Sequence, residues 1–241
     1  MQQKRLFGTF FFNKKPLLLL FLTLIFFIIL FLIGNYFYVK KVILVADFPQ
    51  EKIIGFQSLS KQNLLFLNKE QLEKEILQKN PFLKNVEINK VYPNQLRLKI
   101  TIDKPLAALK ADNGYFYLSE TSKIIEKQKE NTQKLPVINY SQKIYYSSYQ
   151  AGQKVDYREI LGVLKLLKKT NDLGLVVDTV DIVGTYMVAF KIEEKKIIFS
   201  FDKDLEEQEE ALEMIIKQFR IEGKDFATLD LRFNKPLIKV K

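Results

Sequence analysis

The chain has 241 residues, with 38 Lys and Arg against 28 Asp and Glu for a net charge of +10, and neither cysteine nor histidine. The missing cysteines exclude a disulfide scaffold and thiol chemistry; the missing histidines remove the commonest general base and, with it, nearly every zinc, copper or haem site. Only 9 Gly and 7 Pro stand beside 47% hydrophobic residues, the composition of a chain that packs rather than of a disordered stalk.

The first element is the run 17–33, uncharged and with Thr23 as its only polar side chain. Extended through residues 34–38 it reaches about 20 residues, enough for a helix to cross the roughly 30 Å hydrocarbon core of a bilayer. It has no polar face, so lipid is its natural solvent, and the Thr23 hydroxyl can bond a preceding carbonyl. Ile33-Gly34-Asn35 is a poor cleavage site, so the run reads as a retained anchor rather than a signal peptide. Lys4, Arg5, Lys14 and Lys15 hold the amino-terminal side in the cytoplasm, and Tyr36 and Tyr38 sit where an interfacial aromatic belt sits. The expected layout is a cytoplasmic tail (1–15) and a single span of the cytoplasmic (inner) membrane (16–38), with all that follows outside the cytoplasm. The remaining lysines are scattered rather than gathered into a stripe among stacking aromatics, which argues against nucleic acid.

Residues 41–46 then predict a strand rich in β-branched residues. Asp47 is placed to cap a short helix with Pro49 in its first turn and Ile53 and Ile54 on its apolar side. Residues 63–67 read as a buried extended connector. Asn68 and Gln71 form a capping pair for a second helix, with Leu72, Ile76 and Leu77 inward and Glu73, Lys74 and Gln78 outward, ended by Asn80-Pro81. Val86 and Ile88, then Leu96, Leu98, Ile100 and Ile102, alternate with polar residues around Pro93-Asn94, the pattern of a half-buried hairpin. Residues 39–104 thus form a β-α-α-β-β unit.

From Pro105 the texture is β-rich. Asn113-Gly114 marks a hairpin between 106–110 and 115–118. Residues 127–134 read as a surface loop, and 135–138 restart order. Asp156 is expected to cap a helix to about Thr170 with Ile160, Leu161, Leu164 and Leu167 as its stripe, ended by Asn171 and Gly174. Strands follow at 176–183, 186–192 and 197–201, then a helix capped by Asp204 with Leu205, Leu212, Ile215, Ile216 and Phe219 inward, then strands at 227–233 and 237–240. The fold class is α+β: a membrane helix, the small unit, and a domain (105–241) whose mainly antiparallel sheet carries two packed helices.

Several pieces recur in one order in a known family. They are Asn80-Pro81-Phe82-Leu83-Lys84-Asn85-Val86, then Tyr92-Pro93-Asn94, then Pro105-Leu106-Ala107 twelve residues after the first proline of that motif. Gly114-Tyr115-Phe116-Tyr117-Leu118, Leu135-Pro136 and Asp230-Leu231-Arg232-Phe233 complete the set. With the basic tail and anchor, the chain resembles the bacterial cell-division family FtsQ/DivIB. It departs at Ile102, where the family's acidic residue has moved to Asp103, at Gln62 in place of a glycine, and at 119–122.

The resemblance implies that 39–104 is a POTRA domain and 105–241 the family's β domain. It implies a scaffold with no enzymatic activity and no cofactor or small-molecule substrate, acting at the division septum. The partners it implies are FtsB/DivIC-like and FtsL-like proteins, through which septal cell-wall synthesis is controlled. It further implies that the last strands accept a partner strand, placing Arg232, Phe233, Asn234, Lys235, Leu237 and Lys239 in the contact; an edge strand's unpaired amides suit that role. Phe233 reads equally as a core residue, and Lys235, Pro236, Lys239 and Lys241 equally as residues that block edge pairing.

Other signals are weaker. Ser58-x-x-Lys61 matches a penicillin-binding pattern but lacks the companion motifs. The run Glu206, Glu207, Glu209, Glu210 and Glu213 lacks the loop spacing of a cation site and reads as the solvated start of a helix. The rival readings are a POTRA-bearing protein of export or envelope assembly, and an anchored wall hydrolase or transferase, for which no carboxylate pair stands out.

Overall fold

In a computed structural model residues 14–45 and 49–241 are described; Lys4 and Arg5 of the tail, and Ala46 and Asp47 with their expected strand end and cap, lie outside the described residues. Helix α1 (Lys14–Tyr36) is about 34 Å long at 1.5 Å per residue. Over Leu19–Tyr36 it is long and apolar enough to cross a membrane, and none of it is buried in protein. The Thr23 hydroxyl donates to Leu20 O at 2.8 Å, which removes the one polar group from an apolar surface.

The chain divides into two compact units: the described residues up to Ile76 with Glu87–Lys99, and Leu77–Val86 with Ile100–Lys241. After α1 comes β1 (Lys41–Val45), then two 3-10 segments, Gln50–Lys52 and Phe56–Lys61, where one α-helix was expected. Gly55, at φ 91°, separates them, a backbone setting only glycine adopts cheaply. Ile53 is buried but Ile54 is exposed, so the expected apolar pair is split. Residues 63–67 are not a buried connector either: Leu64 is buried, while Leu65 and Phe66 are exposed.

Helix α2 (Lys69–Lys79) starts as expected, with Gln71 N–H donating to Asn68 Oδ1 at 3.0 Å. Its Leu72 and Ile76 are buried. Glu73, expected to face water, instead accepts the Ile88 amide at 2.7 Å. Strands β2 (Leu83–Val91) and β3 (Gln95–Ile102) follow, and the sheet order is β1-β3-β2 with β1 parallel to β3. Val86, Ile88, Leu96, Leu98 and Ile100 are buried, as their alternation demanded.

The large sheet has nine strands: β4 (Ala107–Ala111), β5 (Gly114–Leu118), β6 (Ile124–Gln128), β7 (Val137–Tyr140), β8 (Thr179–Val183), β9 (Met187–Ile192), β10 (Lys195–Ser200), β11 (Phe226–Asp230) and β12 (Leu237–Val240). Their order is β12-β11-β10-β9-β8-β7-β4-β5-β6. Five of the pairings are antiparallel; β10–β11, β7–β8 and β4–β7 are parallel. The parallel pairs require long crossovers, and helices supply two of them: α3 (Arg158–Asp172) joins β7 to β8, and α4 (Leu205–Glu222) joins β10 to β11.

Register places Leu109, Ile138, Val180, Phe190, Ile197 and Leu229 directly opposite one another across six strands, on one face. All are buried, with Ile160, Val163, Leu164, Leu167, Leu212 and Ile216 of α3 and α4 in the same core. Phe190 and Phe199 meet edge to face at 5.1 Å between centroids. The next register positions, Asn139, Asp181 and Asp230, lie on the opposite face, where Lys191 pairs with Asp181 at 2.8 Å and Asn139 Nδ2 donates to Asp181 at 2.7 Å.

Three expectations fail in instructive ways. Lys127 and Gln128, expected to open the 127–134 loop, instead end strand β6, and Lys127 donates to Tyr146 O and Tyr149 O at 2.7 Å; 129–134 lie outside any strand or helix, as expected. Asp156 caps nothing, because α3 begins at Arg158 behind Tyr157, whose side chain makes no cap. Leu161 is exposed, and Val163 takes its place in the stripe. Asp204 does cap α4, accepting from Glu206 N at 2.7 Å and Glu207 N at 3.0 Å.

A carboxylate–lysine triad braces this second unit. Glu120 accepts from Lys168 and Lys84, each at 2.6 Å. These bonds, Lys168's first, hold its carboxyl well below the usual glutamate value, at about 2, against the opposing pull of partial burial. A folded value below the unfolded one stabilises the fold above pH about 4.5, and that contribution fades as pH falls towards 2. The three side chains are partly solvent-exposed, so solvent screening keeps their contribution small. Glu120→Gln is expected to lower the melting temperature slightly at pH 7 and to leave wild type and variant equal near pH 2; parallel melts across that range check it.

Candidate partner-binding edge

The two edges of the nine-stranded sheet are unlike. At β6, Ile124 N–H donates to Gln153 O at 2.8 Å and Ile124 O accepts from Gly152 N at 2.7 Å, so the chain's own 152–155 segment covers the start of that edge. Lys123 and Lys154 add an isolated antiparallel bridge, and the β5–β6 register shifts between Tyr117 and Leu118. An edge covered at its start, bulged, and carrying Glu126 and Lys127 is a poor template for another chain.

β12 forms the other edge. Its only strand neighbour among the described residues is β11, and all four of its residues are exposed. Which of its amides are spoken for follows from alternation. Leu231 N–H donates to Ile198 O on the β10 side at 2.8 Å, so Asp230 and Thr228 face β12. Their partners in register are Leu237 and Lys239. Lys241 N–H donates inward to Asp225 O at 3.1 Å, on the same side by the same alternation. The main-chain groups of Ile238 and Val240 therefore point outward. Their side chains lie on the helix-covered face, Ile238 directly opposite buried Leu229 and Val240 opposite Phe226, and remain 40% and 51% exposed. The apolar face of the sheet thus continues to its rim without a cover.

The residues expected in the contact fall into two groups. Arg232, Phe233, Asn234 and Lys235 are not in a strand; they form the turn between β11 and β12. Arg232 is locked to Asp230 by a 2.6 Å ion pair and a second bond from Nε at 2.9 Å, and its guanidinium lies 5.4 Å from the centre of the Phe233 ring. Hydrogen bonds from Arg232 hold the Asp230 carboxyl below its ordinary value. Phe233 is half-exposed at 49%, so it is not a core residue, and Lys203 Nζ donates to its carbonyl at 3.2 Å. Leu237 and Lys239 lie on β12 with exposed side chains, but their amides belong to β11. Ile238 and Val240 were missed: a four-residue strand read alone has no register, and only the pairing to β10 and β11 assigns its outward amides.

Among the described residues no three His, Cys, Asp or Glu side chains gather as metal ligands. Glu206, Glu207 and Glu210 of α4 are exposed, as expected of a solvated helix start, and three of the glutamates meet lysines: Glu206 and Glu209 pair with Lys165 at 3.1 and 4.0 Å, and Glu213 with Lys169 and Lys217. The Ser58 hydroxyl donates to Gly55 O at 2.7 Å inside its own turn, while Lys61 ends that segment.

Comparison with known proteins matches residues 46–101 to the FtsQ-type POTRA domain. Over 169 residues the chain is 25% identical to cell division protein DivIB of Clostridium botulinum strain Hall, covering 68% of this chain and 64% of that protein. Over 143 residues it is 25% identical to DivIB of the Loch Maree strain, covering 58% and 54%. Together these matches support a likeness to the FtsQ/DivIB family of cell-division proteins. The matches span less than two thirds of either DivIB. The FtsQ-type POTRA match covers α2, β2 and all but the last residue of β3, whereas β1 and the β12 edge lie outside it.

Proposed function

We propose that the chain is a non-enzymatic scaffold of bacterial cell division, anchored in the cytoplasmic membrane by α1 with its remaining domains outside the cytoplasm. Its β12 edge takes up a strand from a partner of the FtsB/DivIC-like kind, within an assembly that includes an FtsL-like protein and governs septal wall synthesis. The observation that carries this reading is the contrast between the edges: β6 is covered at its start by its own chain, and β12 offers two outward amides beside an uncovered apolar rim. A partner strand with alternate apolar residues would extend that rim, and acidic residues on its other face would meet Lys239. Co-purification from membranes with candidate short coiled-coil partners tests the reading. Phe233→Glu is expected to abolish recovery of the partner at unchanged melting temperature, because the ring lies outside the core; full recovery would remove the turn from the contact.

A further inference from the structure

The strongest unexplained surface lies where the small unit meets the end of α1. Asn63 Nδ2 donates to Gly34 O at 2.8 Å, Leu64 N–H to Phe37 O at 2.9 Å and Val39 N–H to Gln62 O at 3.0 Å. Tyr38 and Asn63 add an antiparallel bridge. The segment 62–65 is therefore fastened to the last turn of α1 and stands at its depth. Asn63 Oδ1 accepts the Leu65 amide at 3.0 Å, turning the chain outward there. Leu65 is 45% exposed and Phe66 84%, the highest exposure of any large apolar side chain given for the described residues.

Phe66 has company. Tyr36, Tyr38 and Tyr92 are all exposed, and the Phe37 ring joins Tyr36 at 5.6 Å and Tyr92 at 6.0 Å. Lys40, Lys41 and Lys61 are exposed within a few residues of these rings in sequence. A phenylalanine side chain left in water forgoes the stabilisation of burial, and a loop rich in such groups beside cations suits the headgroup region of an anionic bilayer. The fixed geometry is continuous with α1: a bilayer crossed by α1 would have its surface at this level.

We infer that Leu65 and Phe66, with Tyr92, enter the membrane interface beside the span, giving the POTRA domain a second attachment to the lipid surface. The inference rests on the reading of α1 as a membrane anchor. One peptide linkage leaves a domain free to swivel over the membrane; a second contact, held rigidly to the first, limits its tilt. The exposure of Phe66 then has a purpose that protein packing does not supply.

The chain contains no tryptophan, so single tryptophans report cleanly. The full chain, reconstituted in phosphatidylethanolamine–phosphatidylglycerol vesicles, is prepared as Leu24→Trp, Phe66→Trp and Ile221→Trp. These sites lie within α1, on the loop, and at an exposed point of α4. Brominated lipids are expected to quench Trp at 24 and at 66, with blue-shifted emission at 66 and stronger quenching there by bromine near the headgroups than deep in the chains; 221 remains unquenched. Quenching at 24 with 66 behaving like 221 overturns the inference and leaves the anchor standing. Quenching at neither 24 nor 66 overturns both. With zwitterionic lipid alone, quenching at 66 is expected to fall; equal quenching removes the lysines from the contact.

Discussion

Ile238→Pro is expected to lower affinity for a partner strand at least about tenfold while leaving the melting temperature near that of the wild type. The amide at 238 points away from β11, so proline there removes no bond of the existing ladder, and proline is tolerated on such an edge. Leu237, which precedes it, is already extended, the conformation a following proline demands. An incoming strand loses one outward donor and meets a ring where it needs close approach. Lys239→Pro is the control: its amide faces Thr228, so it should loosen β12 itself and lower the melting temperature. Calorimetric titration of a partner segment, with thermal melts of both variants, separates the cases. If Ile238→Pro binds as well as wild type, strand addition at this edge is wrong, whatever the partner.

The logic of that experiment was only partly legible in the sequence. Strict alternation over Leu96–Ile100 and Val188–Ile192 announced strands and their buried faces, because a period of two has one structural meaning when one face is buried. Asn68 and Asp204 announced helix starts, since each bonds the amides two or three residues on. Failures arose where local signals compete with distant ones. Asp156 has a capping side chain, yet α3 starts two residues later, where Tyr140 and Tyr157 pack at 5.4 Å. Ile124 is the one fully buried residue of β6, so Lys127 and Gln128 at its end carry no strand pattern of their own and read as the start of a loop. Leu65 and Phe66 look like core residues in any composition profile, yet they are exposed, beside an Asn63 that bonds Gly34, 29 positions away. The outward amides of β12 depend in turn on β10, some 40 residues earlier in the chain.

Gln208→Leu is expected to destabilise the second unit by about 3 kcal/mol, with a fall in melting temperature of roughly 10 °C. Gln208 is fully buried at the start of α4. Its Oε1 accepts Ser200 N–H at 2.8 Å, and its Nε2 donates to Ser200 O at 2.8 Å, Asp204 O at 3.1 Å and Lys203 O at 3.3 Å. Leucine nearly matches the volume, so the cost is not a cavity. It is the stranding of both main-chain groups of Ser200, each worth about 1–3 kcal/mol when left unpaired out of water. Gln208→Glu should fare no better, because it turns the donor into a second acceptor facing three carbonyls. The same site bears on the proposed contact: Gln208 holds the 200–204 turn, and Lys203 of that turn holds the Phe233 carbonyl. Melts of both variants, followed by partner titration below the transition, test the two links in order. A leucine variant as stable as wild type would mean that water reaches Ser200 and that Gln208 is not the clamp. A stable fold is not enough for the second link, which predicts that a loosened 200–204 turn weakens partner affinity even at temperatures where the domain remains folded.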